Sequence, residues 1–289
     1  MLLDVDEAVF DAADHEPVID LLKMVAGKRH DWFPRLTGAI RADDFVGRLT
    51  AAEVRLPALT EWARHAVEEA TNPAPEDDRQ IVSVAPAELD AVVADLAKPA
   101  VLLVENEFGD GGFVRAAAQA LGEARIIAAL DGNPRWLIFG HGGGKDQLSQ
   151  LAAARCAEFG VLVRVAVLLD SDRDQDGAEG NADKVEKIHA AGVPHVHMWV
   201  WRMMENYVPF VVWEEHFARQ TSTLQHLRQM NPAERGYRHL KHDFVGRRGR
   251  MPNPLFRPDV PVTEQDFDEL GPDVVAELRE VFAMIYEVL

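Results

Sequence analysis

The period of the apolar positions changes along the chain. In residues 1–72, Ala8, Val9 and Phe10, then Val18 and Ile19, then Leu21 and Leu22 recur at roughly helical spacing, and 56–70 repeats the pattern after Pro57. This stretch is expected to be helical. Residues 71–78 (TNPAPEDD) have no period, two prolines and three acids, which marks a linker. Beyond it the texture alternates. IVSV (81–84) reads as a strand and 86–97 as a helix. AVLLVE (100–105) is a continuous apolar run closed by an acid, as in strands buried on both faces of a parallel sheet. A helix is expected over 113–121, then strands over 124–130 and 135–140 around an Asp131-Gly132-Asn133-Pro134 turn. A helix over 145–159, a strand over 163–170, a helix over 184–191 and a strand over 195–200 follow. The alternation predicts an α/β fold, with a Rossmann-like parallel sheet flanked by helices. Three regions are expected: a helical one over 1–78, an α/β domain over 79–218, and a basic segment with a C-terminal helix over 219–289.

In such sheets, polar residues at the carboxyl ends of the strands converge on the edge where ligands bind. Glu105 closes one buried-type strand, and Asp170-Ser171-Asp172 closes another. Carboxylates gathered there repel one another unless a hard cation such as Mg²⁺ or Mn²⁺ takes their oxygens. Asp174 and Asp176 follow at once and read as solvated turn formers. Gly140-His141-Gly142-Gly143-Gly144-Lys145 lies after a strand and before a helix. Its glycines allow close backbone approach, which makes Gly143, Gly144 and Lys145 candidates for binding nucleic-acid phosphates, although the spacing is not that of a P-loop.

Four segments in order, VLLVENEFGD, GHGGGKDQL, VAVLLDSDRDQDG and WRMMENYVP, resemble a Toprim domain in the variant found in OLD-family (overcoming lysogenization defect) nucleases. The resemblance spans about residues 80–215. It implies a Toprim fold and metal-dependent endonuclease chemistry on DNA or RNA, with Mg²⁺ or Mn²⁺ as cofactor. Carried over by position, Glu105 is the first acid, Asp170 and Asp172 the Asp-x-Asp pair, and Glu205 in Glu205-Asn206-Tyr207 the late acid. In OLD-like members the first Glu is commonly followed four residues later by Asp. Here Gly109 stands at that place and Asn106 replaces the usual Gly, so Asp110 is expected to substitute through a small bulge. By the same analogy Lys241 assists the phosphate. The chain has no P-loop, so the resemblance implies either a separate ATPase subunit, as in antiphage defence systems, or none.

Charge changes this picture in one respect. The net charge of −18 would repel nucleic acid, yet 219–257 carries nine Lys/Arg against two acids, Glu234 and Asp243. Within it, RGYRHLKHDFVGRRGR (235–250) offers Arg247, Arg248 and Arg250 to a nucleic-acid backbone. No apolar run approaches the ~20 residues that span a bilayer. The opening MLLDVDEAVF lacks a signal-peptide pattern, and the single Cys156 suits a reducing compartment, so a cytoplasmic protein without a membrane partner is expected. A homo-oligomer is a further candidate state. Tyr207, Trp213, Trp199 and Trp201 are read as core. Three alternatives compete for the acids: a calcium loop from Asp172 to Asp183, a haloacid-dehalogenase-like phosphatase, and a non-catalytic binding or regulatory module with Gly109 marking lost chemistry.

Overall fold

Each pair of hydrogen-bonded strands runs parallel, so every link between neighbours requires a crossover rather than a tight turn. The computed structural model describes residues 1–33, 35–52, 56–71, 81–141, 143, 147–245, 250–257 and 259–289. The chain divides into two units, one formed by 1–99, 159–163 and 289, the other by 100–158 and 164–288.

The first unit contains β1 (Leu2–Val5), α1 (Glu16–Ala26), β2 (Asp31–Trp32), α2 (Leu36–Ala51), α3 (Pro57–Thr71), β3 (Ile81–Val84) and α4 (Leu89–Ala97), with strand order β2-β1-β3. The expectation of an all-helical 1–72 is corrected here. β1 is only four residues long, too short for a period of two to stand out beside the long amphipathic helices. β3 pairs with β1 from Leu2↔Ile81 to Val5↔Val84. The division therefore falls at Pro99–Ala100 rather than at 78–79. The linker expected over 71–78 lies, apart from Thr71 at the end of α3, outside the described residues.

The second unit runs β4 (Ala100–Val104), α5 (Asp110–Ala120), α6 (Ala124–Asp131), β5 (Leu137–His141), α7 (Leu148–Cys156), β6 (Val165–Leu169), α8 (Ala182–Ala190) and β7 (His195–Met198), with order β5-β4-β6-β7. A 3₁₀ turn (Met204–Tyr207) leads into α9 (Phe210–Phe217), α10 (Thr221–Gln229), α11 (Pro232–Gly236), α12 (Leu240–Val245), α13 (Glu264–Asp268) and α14 (Val274–Val288). All five residues of β4 and of β6 are buried, as their continuous apolar runs require. The strand expected over 124–130 is helix α6. Its buried residues Ile126, Ala129 and Leu130 follow a helical period, and its alanines favour helix. Nor is 219–289 a separate extension: α14 packs against β4, β6 and β7, burying Leu278, Val281, Phe282 and Ile285. Trp199, Tyr207 and Trp213 are fully buried, and Phe113 meets Trp199 edge-on at 5.7 Å. Among the described residues no helix is long and apolar enough to cross a membrane.

A buried carboxylate organises part of the first unit. Asp95 on α4 accepts backbone N–H groups of Gly160, Val161 and Leu162 at 2.8–3.0 Å and the Lys98 ammonium at 2.7 Å. Burial disfavours its charge, but the Lys98 ammonium and these N–H donors outweigh burial and hold the carboxyl at about 2. A depressed pKa contributes stability that is present above about pH 4, the unfolded value, and fades as pH falls through the folded one. Asp95→Asn should therefore cost about 2 kcal/mol of stability at pH 7. Urea unfolding of parent and variant should converge as pH is lowered from 4 to 2, and a gap that does not narrow would assign the loss to packing.

Candidate active site

Parallel pairing of β4 with β6, through Leu103↔Val167, brings Glu105 and Asp170 side by side just past the strand ends. The Asp170 N–H donates to Glu105 Oε1 at 3.2 Å. The strand order makes this the place where chain paths part, because β4 leads towards β5 on one side and β6 towards β7 on the other. Crevices form at such points.

Asp110 enters the same field as the first residue of α5. Gly111 lets that helix approach β5 closely, since a Cβ there would lie 2.9 Å from Phe139 Cδ2. The carboxylate turns back to accept the Asn106 N–H at 2.8 Å, and Asn106 Oδ1 accepts the N–H of Phe108 at 3.2 Å. Burial pushes the Asp110 carboxyl up to about 7, with Glu205 and Glu105 adding to the rise while the Asn106 N–H and Lys241 oppose it. Burial likewise drives Asp170 well above the ordinary carboxylate range, reinforced by Glu205, Glu105 and Asp110.

Glu205 comes from the turn after β7 and is only 4% exposed. Its Oε1 meets Lys241 Nζ of α12 at 2.8 Å, whereas the buried Oε2 has no hydrogen-bond partner among the described residues. Burial works against the Lys241 ammonium, but Glu205, Asp170 and Asp110 outweigh it and raise its pKa above the usual lysine value. The neighbours of Glu205 fix this turn. The Met204 N–H donates to Asp170 Oδ1 at 2.8 Å. The Asn206 amide donates to the carbonyls of Arg235 and Arg238 at 2.7 and 2.9 Å, anchoring the segment that leads to Lys241. The Tyr207 hydroxyl accepts the Trp201 N–H at 2.8 Å and donates to Glu277 Oε2 at 2.5 Å. Asn206 and Glu277 thus hold the site although the sequence points to a role for neither; the one signal it carries is the adjacency of Asn206 to Glu205.

The second acid of the Asp-x-Asp pair has a different partner. Asp172 adopts φ +55, a left-handed conformation that Asp tolerates better than most residues. Its Oδ2 accepts the Asn181 amide at 3.1 Å, which also donates to the Asp170 carbonyl at 2.8 Å. The charges that raise Asp170 most are Glu205, Glu105 and Asp110, not Asp172. The calcium-loop alternative is not assembled either, because Asp183 sits in the first turn of α8 and pairs with Lys187 at 2.7 Å. Gly143 follows β5 with a positive φ of +66 and is exposed. Gly144, Lys145, Arg247 and Arg248 lie outside the described residues.

A cleft of about 870 Å³ adjoins the acids, with Asn106, Phe108, Glu205, His239, Lys241 and Arg250 in its walls. Among the described residues, no three His, Cys, Asp or Glu side chains are gathered closely enough to form a ready-made metal-ligand set. What the arrangement offers by itself is a carboxyl that titrates near neutrality beside a lysine ammonium and an orphaned carboxylate oxygen.

The raised pKa of Asp110 fixes a sign. Between about pH 4 and pH 7 the folded chain holds a proton that the unfolded chain has lost, so this group makes stability fall as pH rises through that window. Without divalent metal, Asp110→Asn should melt several degrees higher than the parent at pH 8 and close to it at pH 5. Scanning calorimetry at the two pH values checks this, and a variant that melts lower at pH 8 would contradict it. Comparisons of the chain with protein-family models, with curated proteins and with solved structures each returned no match.

Proposed function

We propose that the second unit is a Toprim-like, metal-dependent nuclease that cleaves phosphodiester bonds of DNA or RNA. The observation that carries this reading is the crowding of Glu105, Asp110, Asp170 and Glu205 into one another's field beside Lys241. Carboxylates so arranged are costly unless a cation or protons neutralise them. The donor set is all oxygen, and the buried Glu205 Oε2 has no donor, which suits Mg²⁺ or Mn²⁺. Glu105, Asp110, Asp170 and Glu205 are the residues that would hold the cation, and they would have to draw closer to do so because no three of them form a ready-made set. When bound, one or two such ions would lower the pKa of an attacking water and stabilise the leaving oxygen. Lys241 turns from Glu205 to a phosphate oxygen as the substrate enters, and Arg250 holds the neighbouring backbone. Asp172 serves through Asn181 by fixing the loop that carries Asp170.

A second reading, a non-catalytic binding module, draws on one specific feature: Lys241 already neutralises Glu205 in an ion pair. The two are separated by incubating the protein with plasmid, single-stranded DNA and total RNA in Mg²⁺, Mn²⁺ or chelator. The nuclease reading expects cleavage that needs the metal. Glu105→Gln and Asp170→Asn should each lower it at least about a hundredfold. Both should keep the parent circular dichroism and lose the metal-dependent rise in melting temperature. Metal-dependent melting without any cleavage would favour the binding module.

A further inference from the structure

We infer that the cleft beside these acids takes an unpaired polynucleotide strand, with one base stacked on Phe108; the inference rests on the nuclease reading and narrows its substrate class. Phe108 is 72% exposed, the most exposed large apolar side chain among the described residues. One exposed phenylalanine is ordinary by itself; at the wall of a cleft that also carries Lys241 and Arg250 it offers a stacking face beside groups that bind phosphate. It stands on the loop between Glu105 and Asp110, held by the Asn106 side chain, which accepts its N–H at 3.2 Å. That bond holds the Phe108 backbone within the short loop that joins two of the carboxylates.

The chemistry of the walls supplies the rest. Lys241, His239, His242 and Arg250 give the cleft cationic or imidazole groups for phosphates, and Met251 and Leu255 add apolar surface. Glu205, at 4% exposed and with its Oε2 unpartnered among the described residues, lines the same cleft. Bases within a continuous duplex are stacked on both faces and offer none to a protein ring, whereas unpaired bases stack readily on aromatic side chains whatever their sequence. A duplex is also stiff over ~150 base pairs, so it cannot offer an unstacked base to Phe108 without bending or unstacking. A single strand meets both demands.

Binding is measured by fluorescence anisotropy in EDTA and again in Ca²⁺, using labelled oligothymidylate, labelled oligouridylate and a closed hairpin duplex. At least one single strand should bind about tenfold more tightly than the duplex, the two strands distinguishing DNA from RNA. Phe108→Ala should weaken that binding about tenfold, Phe108→Trp should restore it, and both variants should melt like the parent. Equal affinity for the duplex, or indifference to Phe108→Ala, overturns the inference. If the hairpin is also cleaved with metal and Glu105→Gln stops it, the nuclease reading survives that failure. If no nucleic acid is bound or cleaved and Glu105→Gln behaves as the parent, both fall together.

Discussion

The closeness of Glu105 to Asp170, imposed by parallel pairing of β4 with β6, is the constraint from which the rest of the second unit's carboxyl edge follows. Two acids on neighbouring strand ends repel, and Asp110 and Glu205 add to the repulsion. Something must then hold the surrounding backbone in place. The Met204 N–H does so from one side, and Asn206 and Tyr207 do so from the other by binding α11 and α14. Helices far along the chain are thus recruited to stabilise a turn that carries one acid. Lys241 arrives by the same route, because Asn206 anchors the residues just before it.

The two units bury the same type of side chain with opposite results. Asp95 receives three backbone N–H groups and an ammonium, and its carboxyl falls to about 2. Asp110 receives one backbone N–H among the described residues while facing Glu205 and Glu105, and its carboxyl rises to about 7. Burial is common to both, so the supply of donors and the sign of the nearest charges decide the direction. A satisfied carboxylate staples a fold. An under-satisfied one, crowded by like charges in a cleft, is the kind found where chemistry or cation binding occurs.

This distinction also marks what the sequence could express. β4 and β6 were legible because strands buried on both faces must be apolar throughout, and the acids that close them were legible as breaks in those runs. Their convergence then followed from the parallel sheet. The Ala- and Ile-rich stretch 124–130 was not legible, since eight residues of helix with three buried positions resemble a short buried strand. The first unit's β1 was hidden by its length, and with it the reason that β3 belongs to that unit. Lys241 entered by family resemblance alone, and no local pattern tied it to Glu205. The partner of Asp172 was not legible, because spacing says nothing about the left-handed turn there or about the Asn181 amide that its Oδ2 accepts.

The resemblance expects an acid at position 109, where this chain carries glycine and places the acid at 110. A Cβ at Gly109 would meet the Asn106 side chain at 3.0 Å and the Met204 Cε at 3.8 Å, both of which line the cleft. Position 109 therefore faces the site, and any larger side chain there would press on Asn106. An acid at 110 is free of that conflict and has Asn106 as its partner, since the Asn106 N–H donates to Asp110 while the Asn106 side chain accepts the Phe108 N–H. The carboxylate still lies in the field of Glu105, Asp170 and Glu205. What matters to the electrostatics is the volume that the charge occupies, and the first turn of α5, drawn close to β5 by Gly111, delivers Asp110 into that volume from the next residue along.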